Sequence, residues 1–169
     1  MAKSDKANEK TNVMRLLDQA GIAYTPRYYD VSLASGTEVA AALGQSAECV
    51  FKTLVAEANT GEHFVYVIPA PETLSLKKAA KAAGVKSIAM LPQKKLLPLT
   101  GYVHGGCSPV GMKKPFPAWI DETALLTDAF FCSAGRLGAQ IGIDPEALAG
   151  YIGAQFAISP KNKQQRITT

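Results

Sequence analysis

Residues 49–57 (CVFKTLVAE) and 63–69 (HFVYVIP) are two runs rich in β-branched and aromatic residues, and Asn59-Thr60-Gly61 lies between them. Runs of this kind joined by a tight turn specify an antiparallel hairpin, so the fold has to be built around that ribbon. Helices flank it. Thr11 stands where a cap is wanted, ahead of Val13, Leu16, Leu17 and Ala20, and Gly21 holds the left-handed closing position, which predicts a helix over 11–20. Residues 22–29 read as extended, with Pro26 marking an edge strand, and Thr37-Glu38 opens a second short helix that Gly44 closes. Ser75 precedes LKKAAKAAG, a helix ended by Gly84 whose alanines and Leu76 face inward while Lys77, Lys78 and Lys81 line an outer side. A short strand over 87–91, a helical turn after Pro92, a Gly- and Pro-dense loop over 105–117, strands over 119–121 and 129–133, and a helix from Asp144-Pro145 to about Ile152 complete the pattern. Strands and helices alternate without a regular βαβ period, which argues against a doubly wound parallel sheet. The expected fold class is α/β of the α+β type: a curved mixed sheet or partial barrel with flanking helices.

With 169 residues, 47% of them hydrophobic, the chain has material for one packed core. We read a single domain over 11–158, a polar lead over 1–10 (MAKSDKANEK) and a polar tail over 159–169. The lead has no apolar run of the kind a signal peptide carries, and no segment approaches the roughly 18 apolar residues of a membrane span. Cys49, Cys107 and Cys132 are odd in number, widely spaced and without a CxxC pair, which fits a reducing cytoplasm and not a disulfide framework. His63 and His104 are the only histidines and stand in no zinc-binding spacing, so neither a metal nor another cofactor is expected.

Charge is distributed unevenly. From Thr73 to Ile120 there is no Asp or Glu, yet the segment holds Lys77, Lys78, Lys81, Lys86, Lys94, Lys95, Lys113 and Lys114. The rest of the chain carries ten basic against fourteen acidic residues, so this segment supplies the whole positive excess behind a net charge of +4. A polyanion is its natural partner, because binding to phosphates releases counterions and needs no particular base; the alternative is a solvated lysine face.

Lys52 is out of place in CVFKTLV. Strand alternation puts it on the face of Val50 and Leu54, opposite Phe51, Thr53 and Val55. An ammonium in apolar surroundings costs several kcal/mol unless an anion meets it, so the position suits a docked phosphate or carboxylate, or else a lysine that snorkels to water. Gly105, Gly106, Cys107, Ser108, Pro109, Val110 and Gly111 form a loop able to aim backbone N–H groups at one developing negative charge, if it is more than a structural turn. Ser133-Ala134-Gly135, after an apolar strand, is a second small-residue wall. No GxSxG stands around Ser133, and a catalytic thiol would need one of the two histidines as its base, so the cysteines read as inert.

FKTLV around Lys52, LSLKKAAKAAGVK over 74–86, GYVHGGCSPVG over 101–111 and FCSAG over 131–135 resemble, in order, the serial motifs of the YbaK family, and the resemblance spans about residues 11–158. It implies the fold of the editing domain inserted in bacterial prolyl-tRNA synthetases. It also implies release of an amino acid from misacylated tRNA, with Cys-tRNA(Pro) the substrate of one group and Ala-tRNA(Pro) of another. For a cysteinyl ester it implies attack by the substrate's own thiol, and for an alanyl ester attack by water. Carried over by motif, Lys52 is the lysine on which activity depends, holding the 3′ end of the tRNA, and Tyr29, Thr53, the 105–111 loop and Ser133 line the pocket. Lys77, Lys78, Lys81, Lys113 and Lys114 are then candidates to bind the tRNA, with prolyl-tRNA synthetase a candidate partner. Ser35 and Ser75 stand where the cysteinyl group often has an aromatic residue and Asn, which leaves the choice of amino acid open. A non-catalytic tRNA or nucleotide-binding module on the same fold is the competing reading.

Overall fold

The structure, a computed structural model, describes residues 9–33 and 35–157; most of the expected polar lead and all of the tail lie outside the described residues. Helix α1 (Asn12–Ala20) begins where Thr11 Oγ1 accepts the Met14 N–H at 3.2 Å and ends at Gly21, whose φ of 73° is the left-handed closure expected. Its Val13, Met14 and Leu17 are buried. Strand β1 (Tyr24–Tyr28) follows, and helix α2 (Gly36–Ala42) opens at Ser35, slightly earlier than the sequence suggested. A Cβ on Gly36 would lie 2.6 Å from the Ala70 Cβ, so only glycine lets this helix start directly against the end of the hairpin.

The hairpin is the centre of a five-stranded sheet. β2 (Phe51–Ala58) and β3 (His63–Pro69) run antiparallel, pairing Lys52 with Ile68 and Thr53 with Val67. β4 (Ile88–Met90) adds antiparallel to β2 after helix α3 (Leu76–Ala83) and before helix α4 (Gln93–Thr100), a longer helix than the single turn expected. β5 (Ala118–Ile120) adds parallel to β3. A three-stranded antiparallel sheet is built from β1, β6 (Phe130–Ser133) and β7 (Ala139–Ile143), and Pro26 does sit on its edge. Helix α5 (Pro145–Ile152) leads into β8 (Gln155–Phe156), parallel to β5. The class is mixed α/β as expected, but the strands divide between two sheets that do not close into a barrel.

Two apolar clusters use the two faces of β2. Phe51 and Val55 join Val65, Val67, Phe130, Ile141 and Leu148 in the core between the sheets. Ala56 and Ala58 join Tyr66, Ile68 and Trp119 beneath α3, with Leu54 packed alongside. Tyr66 donates its hydroxyl to the Ala79 carbonyl at 2.9 Å and stacks on Trp119, which fastens α3 to the sheet. The inward expectation for α3 needs one correction. Ala79 and Ala80 are buried, whereas Leu76, one turn earlier on the same stripe, is 40% exposed because an open groove separates it from the sheet there.

β7 escaped the sequence reading. Gln140 and Gly142 interrupt its apolar run, and Gly142 is required because a Cβ there would come within 2.7 Å of the Phe131 ring. The two sheets meet at one isolated parallel bridge, Val50 to Phe131, and that junction makes the site.

Candidate active site

Where the start of β2 passes β6, a cleft of about 380 Å³ opens, and Tyr29, Lys52, Thr53, Gly105, Cys107 and Ser133 all line it. Six residues singled out in the sequence, spread over more than half of the chain, thus share one wall system. The size is within the range of small-ligand sites.

β2 positions the charge. Lys52 is partly buried, and burial pulls its ammonium below the usual lysine range, with the Glu72 carboxylate acting in the opposite direction. Thr53, on the opposite side of the strand, has its Oγ1 buried without a hydrogen-bond partner among the described residues. A hydroxyl withdrawn from water and left unmatched is costly, which is a reason to expect a ligand group to meet it.

The small sheet supplies the facing wall. The Tyr29 N–H donates to the Gly138 carbonyl at 3.0 Å, tying the end of β1 to the turn between β6 and β7. At the end of β6, Ser133 Oγ accepts the Gly135 N–H at 3.1 Å. The 105–111 loop packs on that same turn: a Cβ on Gly106 would lie 3.1 Å from the backbone of Arg136 and Leu137. Glycine is needed at 106 for backbone to approach backbone.

The rest of the loop is support. Gly106, Ser108, Pro109 and Gly111 do not line the cleft. The Gly106 N–H donates to the Val103 carbonyl at 3.0 Å and the Val110 N–H to Ser108 Oγ at 3.1 Å, so two of the N–H groups expected to point at a substrate are spent inside the loop. Tyr102 donates its hydroxyl to the Val110 carbonyl, and its own N–H is held by Thr100 Oγ1 at 3.0 Å. Gly111 has the Tyr102 hydroxyl and Leu16 of α1 where a Cβ would be, at 2.9 and 3.1 Å. The loop is therefore braced from three sides.

Both thiols at the cleft are poor nucleophiles. Burial pushes Cys107 and Cys132 up to about 12, so at neutral pH each is a thiol and not a thiolate. The described residues bring no three metal-ligating side chains together.

The exposed lysines lie elsewhere. Lys77, Lys78 and Lys81 are exposed on α3, and Lys77 also borders the open groove beside Lys52. Lys113 and Lys114 are exposed as well, with the Lys113 ammonium 3.4 Å from the Pro98 carbonyl on α4.

Two parts of the wall go beyond the pocket residues the sequence pointed to. The start of α2 contributes Ser35, which the resemblance tied to the choice of amino acid, together with Gly36 and Val39, and β7 contributes Gln140. Gln140 is buried, and its Oε1 accepts the Gln45 amide at 2.6 Å across 95 residues of sequence. A glutamine inside the otherwise apolar AQIGI was the only signal available.

Residues 31–151 match the model of the aminoacyl-tRNA editing domain family. A curated relative from Enterococcus faecalis (strain ATCC 700802 / V583), named as a candidate Cys-tRNA(Pro)/Cys-tRNA(Cys) deacylase EbsC, is 43% identical over 161 residues, covering 93% of this chain and 96% of its own. A crystal structure described as a candidate trans-editing enzyme for prolyl tRNA synthetase superposes with a TM-score of 0.80 at 26% identity, over 88% of this chain and 94% of that one. The crystal structure of hypothetical protein APE2540 shares the fold, with a TM-score of 0.79 at 24% identity over 89% of this chain and 100% of its own. By family model, sequence relative and superposed structure, the chain belongs to the aminoacyl-tRNA editing domain family as a deacylase of the YbaK and EbsC type.

Proposed function

We propose that this deacylase removes cysteine from Cys-tRNA(Pro), with Lys52 and the loop backbone orienting an ester that the substrate's own thiol attacks. The sulfur bonds to the ester carbonyl carbon, the bond from that carbon to the ribose oxygen breaks, and the thiol proton passes to the departing ribose hydroxyl. Free tRNA and a cyclic thiolactone result. The observation that carries the reading is the composition of one cleft: a partly buried lysine and an unmatched Thr53 hydroxyl among its lining residues, with both protein thiols held in their unreactive form. Such a site is equipped to hold and polarise rather than to attack.

Lys52 meets a phosphate of the tRNA 3′ end, and the N–H groups of Gly105 and Cys107, the two loop residues of this segment that border the cleft, face the carbonyl oxygen as it gains charge. A single preorganised donor of that kind is worth roughly a hundredfold to a thousandfold in rate. The need for the reaction follows from the limits of binding, since a pocket shaped for proline discriminates against a residue smaller by about one methylene by only ~1 to 3 kcal/mol. Prolyl-tRNA synthetase is accordingly the partner whose errors are corrected, in the cytoplasm where tRNA is charged.

A second reading, hydrolysis of Ala-tRNA(Pro), is favoured by His104, which borders the cleft and has the chemistry to take a proton from an attacking water. Blocking the thiol separates the two. S-methylcysteinyl-tRNA(Pro) should survive incubation with the enzyme if the substrate thiol is the nucleophile, and release of S-methylcysteine at the rate of cysteine would assign the reaction to water.

A further inference from the structure

The cleft has a neighbour. On the helical side of β2, a groove of about 510 Å³ is bounded by Lys52, Leu54, Leu74, Ser75, Leu76, Lys77 and Met90, and it shares Lys52 and Leu54 with the cleft. Two features set it apart from ordinary surface. Its walls are apolar yet unpaired, with Leu76 40% and Met90 43% exposed on opposite sides, one on α3 and one on β4. Its two cations are Lys52, on β2 at the shared boundary, and Lys77 on α3, which belongs to the stretch from Thr73 to Ile120 without a carboxylate; Glu72 is the acidic group near Lys52 and partly offsets it.

We infer that this groove is a second subsite, taking the penultimate nucleoside of the tRNA 3′ strand, its base against Leu54, Leu76 and Met90 and the phosphate that links it to the terminal adenosine beside Lys52. The inference rests on the deacylase reading, and it follows from how the substrate is connected. The reactive ester is on the terminal ribose, so an aminoacyl group in the cleft obliges the rest of the strand to leave across one of its edges. The edge at Lys52 continues into a cavity with apolar faces and positive charge, which is what a nucleotide with one flat base and one anionic linkage requires. Lys77 then lies next in line for the following phosphate. All tRNA 3′ ends present the same cytidine before the terminal adenosine, so the groove raises affinity for any tRNA and leaves the choice of amino acid to the cleft.

The test compares two small esters, 3′-cysteinyl-adenosine and 3′-cysteinyl-cytidylyl-adenosine, with the wild-type chain and with Leu76→Glu and Met90→Glu. Both substituted residues are well exposed, so the fold tolerates the change, and circular dichroism verifies it. The extra nucleotide should raise kcat/KM roughly tenfold or more in the wild type, mostly through KM, and either glutamate should remove that increment. An increment that persists in both variants, or one that is absent from the wild type while cysteinyl-adenosine is cleaved, overturns the subsite and leaves the deacylase reading intact. Failure to cleave either ester overturns both.

Discussion

The two walls of the cleft are built on opposite principles. The small-sheet wall, with the 105–111 loop and the turn after β6, is made from backbone: glycines at 106 and 142 allow approaches that a Cβ would block, and hydrogen bonds from Tyr102, Gly106 and Val110 brace the loop. The hairpin wall is made from side chains, with Lys52 partly buried and lysines of α3 exposed beyond it. Precise placement is kept on one side and adjustable charge on the other. The difference suggests a division of labour in which the backbone wall positions the reacting carbonyl and the charged wall holds the polyanion.

The most damaging change on the backbone wall should be Gly106→Val. Its side chain has no room against Arg136 and Leu137, so the loop must retreat, and a misplacement of about 1 Å costs roughly a hundredfold in rate. Slowed cysteine release with KM little changed is the expected signature; wild-type turnover would break the comparison. On the charged wall, converting Lys77, Lys78 and Lys81 together to Gln should weaken tRNA binding and flatten its salt dependence, by up to about 0.7 to 0.9 in log–log slope for each phosphate that is no longer neutralised. Titration at several salt concentrations reads this, and an unaltered slope would remove α3 from the interface. Gly142→Ala should cost about 1 to 3 kcal/mol in chemical denaturation through overpacking on Phe131.

The smallest effect concerns Lys52 in the absence of substrate. Its folded-state pKa lies below the unfolded 10.5, so the unfolded chain binds more protons between those two values, and stability contributed by this group rises with pH across that window and is lacking below it. Lys52→Met should therefore raise the Tm at neutral pH and remove that part of the alkaline gain. Activity should show the reverse, falling as pH climbs through the lowered pKa of Lys52 and doing so below the range of an ordinary lysine.

What the sequence made legible follows the same divide. The hairpin, the helix caps at Thr11 and Ser75 and the closures at Gly21 and Gly84 are local signals, and each is present. Lys52 was conspicuous because a charge interrupts an apolar strand. The facing wall was harder to read because its logic is long-range: Gln140 matters through Gln45, and Gly106 through the backbone of Arg136 and Leu137. A glycine in a loop shows that something special is needed, but not what it approaches. Leu76 illustrates the same limit, since helical periodicity gave its side but not the groove it overlooks.

The central claim is that Lys52 holds the substrate while the cleft supplies no nucleophile of its own, and the most direct test is release of amino acid from Cys-tRNA(Pro) and Ala-tRNA(Pro) by the wild-type chain and by Lys52→Ala. The account predicts rapid loss of cysteine, slow loss of alanine, and a fall of about a hundredfold or more on removal of the lysine, with the fold retained. Undiminished cysteine release by the Lys52→Ala variant would contradict it.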